Sequence, residues 1–199
     1  MLNPDESASI IDPLQSMAIR DNLHLMATNQ DPAPFAAAVY NPDTSDRMAL
    51  FKFVEKQKLM NTRVGGVLQE AIFNTEGVII GLDAVDVATN RRIPITRPVK
   101  NDDECRLDVS ALAETTEIIR NAISDRMDLV VVEKFGELEQ NGKGLIDEIF
   151  ETIVMGIPLL ISVPRAALPM WQERSGELGS VLPFSEEAFR QWWQSVNAE

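Results

Sequence analysis

The chain has 199 residues, 45% of them hydrophobic, enough for one α/β domain with its own core. Eighteen basic residues stand against thirty-one acidic ones, a net charge of −13, which argues against a broad nucleic-acid or anionic-membrane surface because both need a positive field. A single cysteine, Cys105, excludes an intrachain disulfide, and with His24 as the only histidine a His/Cys zinc site within the chain is not expected.

Residues 1–34 read as an N-terminal arm. Ile10, Leu14, Met17, Ala18 and Leu25 form a loose helical stripe, and the stretch Asn29 to Pro34 breaks it. The arm is expected to dock on the domain or on a protein partner. No apolar run approaches the ~20 residues of a membrane span, and no basic segment followed by an apolar core opens the chain. The cytoplasm is therefore the expected compartment.

Residues 35–199 read as a single α/β domain. Phe35–Tyr40 is the first core strand, 41–46 a turn, and Arg47–Met60 a helix with Leu50, Phe51 and Val54 on one face. Arg63–Gln69 is the second strand, where Gly65 and Gly66 mark a close backbone approach or a bulge. This order favours a right-handed βαβ unit and a parallel sheet. Leu82–Thr89 and Ile93–Thr96 form a hairpin, with Pro94 suited to an edge. Residues 101–104 are an acidic loop. Val109–Ile123 is a helix with apolar positions three and four apart, and Asp108 is placed to cap it.

Leu129–Val132 is apolar and β-branched, as a central parallel strand should be. Leu145–Met155 is the next helix, Gly156 to Pro158 stops it, and Leu159–Val163 is the last core strand. Leu168–Glu177 is a short helix. Ser185 caps a final helix through Trp192 and Trp193, which cover the core or a subunit contact. The fold class expected is a three-layer α/β sandwich with a mostly parallel sheet and a β-hairpin insertion.

Ligands of α/β proteins bind at the carboxyl ends of the strands. After the first strand, the turn 41–48 has no glycine, and no G-x-x-x-x-G-K-[ST] motif occurs in these residues. Backbone amides and a lysine cradle phosphate in that motif, whereas Asp43 and Asp46 would repel it here. A helix N-terminus remains, with Thr44 and Ser45 offering hydroxyls to an anion. After the central strand, Glu133 is placed to orient water and Lys134 to meet an anion; a salt bridge at the strand end is the competing reading. Gly136, Gly142 and Gly144 permit a loop that borders the main pocket and orders over a ligand. Arg91, Arg92, Arg97, Lys100 and Arg106 are the one basic concentration, and Arg97 or Arg106 is expected at an anion site because a guanidinium donates two hydrogen bonds at once.

The run Cys105-Arg-Leu-Asp108, Asp128 to Gly136, Glu139, Gly142, Gly144 and Gly156-Ile-Pro158 resembles the bacterial domain-of-unknown-function 2478 family. The resemblance spans about Phe35 to Trp193. It implies a fold like that of P-loop nucleoside triphosphatases of the thermophile type, and a role in molybdenum or tungsten handling, since some members are encoded near molybdate-transport genes. Asn is expected in the family where this chain has Glu133. The favoured expectation is a non-catalytic binding protein with a degenerate nucleotide site. Its small anionic ligand would be molybdate, tungstate or a molybdenum-cofactor intermediate, and magnesium is not expected. A divergent nucleoside triphosphatase, or an interaction subunit acting through the arm and the Trp192–Trp193 helix, including a homo-oligomer, are the alternatives.

Overall fold

The computed structural model describes residues 34–98, 105–107 and 109–197. The expected arm thus lies outside the described residues except for Pro34, and so does the expected cap Asp108. Strands β1 (Phe35–Tyr40), β2 (Val64–Phe73), β3 (Ile79–Asp86), β4 (Arg92–Pro94), β7 (Leu129–Glu133), β8 (Leu159–Pro164) and β9 (Ser180–Pro183) form one sheet in the order β4-β3-β2-β7-β8-β1-β9. The five strands from β2 to β9 in that order pair in parallel, and β2-β3-β4 pair antiparallel. A second, two-stranded ribbon joins β5 (Thr96–Pro98) and β6 (Cys105–Leu107). The sheet is mostly parallel, as its apolar, β-branched strands require: β1 and β7 are buried along their whole length.

Helices cover both faces. On one lie α1 (Met48–Leu59) and α6 (Glu186–Val196), on the other α2 (Val109–Ser124), α4 (Ile146–Val154) and α5 (Leu168–Arg174); a single turn, α3 (Glu137–Gln140), follows β7. Alternation along each strand divides the core. Ala36, Ala38, Leu129, Val131 and Leu160 pack with Leu50, Phe53, Phe189 and Trp192 under α1 and α6. Ala37, Val130, Val132 and Ile161 pack with Ile119, Ile149, Ile153 and Trp171 under the other three helices. Trp192 and Trp193 are thus core residues, 4% and 8% exposed. Phe51 is not: it is 46% exposed, because α1 buries Leu50, Phe53, Val54 and Gln57 instead.

Gly66 explains the close approach expected in β2. Its φ is +117°, and a Cβ there would lie 1.9 Å from the carbonyl oxygen of Val131 on β7. The main sheet departs from the sequence expectations at both of its ends. β2 runs on to Phe73 and turns directly into β3, so the hairpin at β3–β4 is the end of a longer meander. Leu159–Val163 is not the last strand, because β9 follows and pairs with β1. β9 is four residues of alternating half-buried and exposed positions, too little apolar surface to announce a strand.

Candidate functional site

β1 leads into α1 on one face of the sheet, while its neighbour β8 leads toward α5 on the other. The strand order therefore reverses between these two, and the crevice outside their carboxyl ends is where such folds hold ligands. The groups that converge at this edge are side chains from β1, the β1–α1 turn and β7, and a backbone amide of β2. Glu133, the last residue of β7, is 6% exposed. It accepts hydrogen bonds from the Arg47 guanidinium on one oxygen and from the Gln69 amide on the other, the latter at 3.1 Å. The Arg47 guanidinium also sits 4.6 Å from the centre of the Tyr40 ring, a cation–π arrangement. Burial raises the Tyr40 pKa above the usual phenol value; Arg47 opposes that shift and Glu133 adds to it. Beside Glu133 in register lies Ser162 of β8, fully buried, whose hydroxyl has no partner among the described residues.

Of the two readings of Glu133 and Lys134, the geometry favours a salt bridge for Glu133, but with Arg47 rather than with Lys134. Among the described residues no carboxylate pairs with Lys134. The peptide bond between Glu133 and Lys134 is cis.

The turn before α1 satisfies itself. The amides of Thr44 and Ser45 donate to the Asn41 carbonyl, and the Asn41 amide donates to the Ser45 hydroxyl at 2.9 Å. The Asp46 carboxylate accepts from the Met48 amide at 2.9 Å and from Lys52 at 3.1 Å, and the lysine holds its pKa below the usual carboxylate range. An acidic side chain thus occupies the helix end that a phosphate would otherwise meet.

A cleft of about 650 Å³ opens on the opposite face. Its walls are β2 and β3, the first half of α2, residues 95–96 and the segment from Glu133 to Leu145. The structure brings Glu133, Lys134 and Gly136 together there and adds Lys143. Thr44 and Ser45 are not among its lining residues. Arg97 and Arg106 are register partners across the β5–β6 ribbon, one residue beyond Thr96, which lines the cleft. Two other members of the basic concentration are engaged elsewhere, Arg91 with Glu114 and Arg92 with Glu70.

Glu139 is the residue that sequence reasoning undervalued. Although it is a carboxylate, it is 7% exposed and lies inside the segment after β7. One oxygen accepts from the Gly136 amide at 2.9 Å and the other from the Leu145 amide at 3.1 Å. Gly144, at φ +64°, is needed beneath it, since a Cβ there would come within 2.2 Å of the Glu139 carboxylate. The segment expected to be a loop that borders the main pocket does line the cleft, and it contains a short helix stapled across its base. The signal available was the spacing Gly136-x-x-Glu139, which reads as a capping arrangement.

Together the fold and this edge define an α/β protein with a mostly parallel sheet covered by helices on both faces. Its fold is shared with THEP1 from the hyperthermophile Aquifex aeolicus, with a TM-score of 0.52 over 82% of this chain and 97% of that one, at 11% identity. The chain belongs to the DUF2478 family of proteins of unknown function, whose profile matches residues 35–192. It is also 31% identical over 169 residues, 84% of its length, to the molybdenum import ATP-binding protein ModC 2 of Bradyrhizobium diazoefficiens. The chain spans only 19% of that relative's length. Among the described residues no helix is long and apolar enough to cross a membrane.

Proposed function

We propose that the protein binds a small oxyanion, molybdate or tungstate, or a molybdenum-cofactor intermediate, without catalysing its conversion. The site is the cleft between α2 and the segment 134–145. The observation that carries this reading is a pair of free cations in its lining. Lys134 and Lys143 line it without a carboxylate partner among the described residues, while of the three lining carboxylates Glu133 and Glu139 are each engaged by two donors and only Glu137 is exposed. Arg97 or Arg106 of the adjacent ribbon contributes a further cation. The name of the ModC 2 relative favours molybdenum among the oxyanions. Thermal unfolding with molybdate, tungstate, sulfate and phosphate tests the proposal. A ligand at a hundredfold excess over its Kd stabilises by about 2.7 kcal/mol, and the double variant Lys134→Ala, Lys143→Ala abolishes the shift. No stabilisation by any of the four anions overturns it.

The second reading is a divergent nucleoside triphosphatase with Glu133 orienting water. Its support is the position of Glu133 at the end of β7 in a P-loop-like frame. Arg47 would have to leave the carboxylate first. Phosphate release from ATP with magnesium, lost in Glu133→Gln, would replace the binding reading with this one.

A further inference from the structure

We infer that the occupant of the cleft is an organic anion with an apolar body, rather than a bare tetrahedral oxyanion. This rests on the anion-binding reading above and narrows it: of the ligands named there, it keeps the organic one and sets aside bare molybdate and tungstate. Size is the first argument. At ~30 Å³ per water, a tetrahedral oxyanion displaces on the order of two or three waters, a small part of about 650 Å³. The volume falls instead among sites that hold whole organic molecules, roughly 300–1,000 Å³.

The chemistry of the walls agrees. The floor is made of Val67, Leu82, Ile95, Leu112 and Leu145. Of the two threonines beside them, the Thr115 hydroxyl donates to the Leu112 carbonyl at 2.8 Å, and the Thr96 hydroxyl accepts from the Leu82 amide at 2.8 Å, keeping its own O–H to donate. A hydrated ion on this floor would lose more hydrogen bonds than that one donor replaces. A hydrocarbon or aromatic body there loses none and removes apolar surface from water. The cations, Lys134 and Lys143, both come from the segment that follows β7, which also contributes Glu137, Leu138 and Leu145 to the lining. The cleft is therefore amphipathic, and a ligand that matches it has a charged end and an apolar end.

Isothermal titration with inorganic phosphate and with 1-naphthyl phosphate separates the two halves. The aryl phosphate is expected to bind at least tenfold more tightly than phosphate to the unaltered protein. Leu112→Gln, a half-buried position, should remove most of that advantage, read as the ratio of the two affinities in the variant. Lys134→Ala with Lys143→Ala should weaken both. Equal affinity of the two probes overturns the organic ligand and leaves anion binding standing. An advantage undiminished in Leu112→Gln overturns the placement of the apolar body on this floor. Failure of both probes to bind overturns the inference and the reading beneath it.

Discussion

Glu133 receives the guanidinium of Arg47, a residue eighty-six positions earlier in the chain. One partner is almost fully buried, with 6% of its side chain exposed, and the other is 42% exposed. The pair joins the first turn of α1 to the end of the central strand. Removing Arg47 leaves a buried carboxylate with only the Gln69 amide. Arg47→Ala is therefore expected to destabilise by about 2 kcal/mol in urea unfolding, the scale of a lost hydrogen bond to a charged group partly screened by solvent. Glu133→Gln should cost less, because the amide oxygen still accepts one bond and no buried charge remains.

Tyr40 offers an optical view of the same cluster, because it is the only tyrosine in the chain. Its pKa is raised, chiefly by burial. The neutral phenol is thus favoured in the folded state, so its contribution to stability is complete below the ordinary value near 10 and is lost as pH rises through the folded value. Absorbance titration near 295 nm should give a midpoint above that of a free tyrosine. Arg47→Ala should move it further up and Glu133→Gln should move it down. Movement in the same direction in both variants would contradict the assigned neighbours.

Glu139→Ala removes the acceptor for the Gly136 and Leu145 amides in one step. The expected loss is about 2–4 kcal/mol, two hydrogen bonds to a charged group less what water recovers. Hydrogen exchange in the unaltered protein should find those two amides slower than their neighbours in the segment 136–145, and the variant should release both together.

Gly66→Ala is expected to be the most disruptive small substitution. The added methyl meets β7 backbone that the sheet holds in place, and alanine resists the positive φ. A loss of roughly 3 kcal/mol or more, or failure to fold, is the expected outcome. Gly77→Ala is the comparison: its φ of +78° is also positive, but nothing lies within 4 Å of the added carbon. The larger fall in Tm is expected at Gly66, where the contact with β7 and the more extreme φ act together.

The parallel core was legible because periodicity reports burial directly. Phe35–Tyr40, Leu129–Val132 and Leu159–Val163 read as strands for the same reason that they sit in the middle of the sheet: both faces are covered. The ends of the sheet were less legible. β9 and the β5–β6 ribbon are three or four residues each, and β9 pairs with β1 from the other end of the domain. At the site, Glu133 was recognisable as a strand-end carboxylate, yet no local pattern could name Arg47 as its partner. That contact exists only once α1 crosses the sheet. Glu139 was hidden for a different reason: a charged residue in a glycine-containing stretch reads as solvent-facing, and only folded geometry puts two amides against it.

The two outermost strands of the sheet have a consequence for self-association. β4 has three residues and ends in Pro94; β9 has four and ends in Pro183. Each proline removes a donor from the rim, and Arg92 sets a charge on one of them. A neighbouring molecule could not add a long strand to either side. Among the described residues, extension of this sheet from molecule to molecule is disfavoured at both rims, and the exposed apolar tip near Phe73 and Ile79 is the surface left for contact between copies.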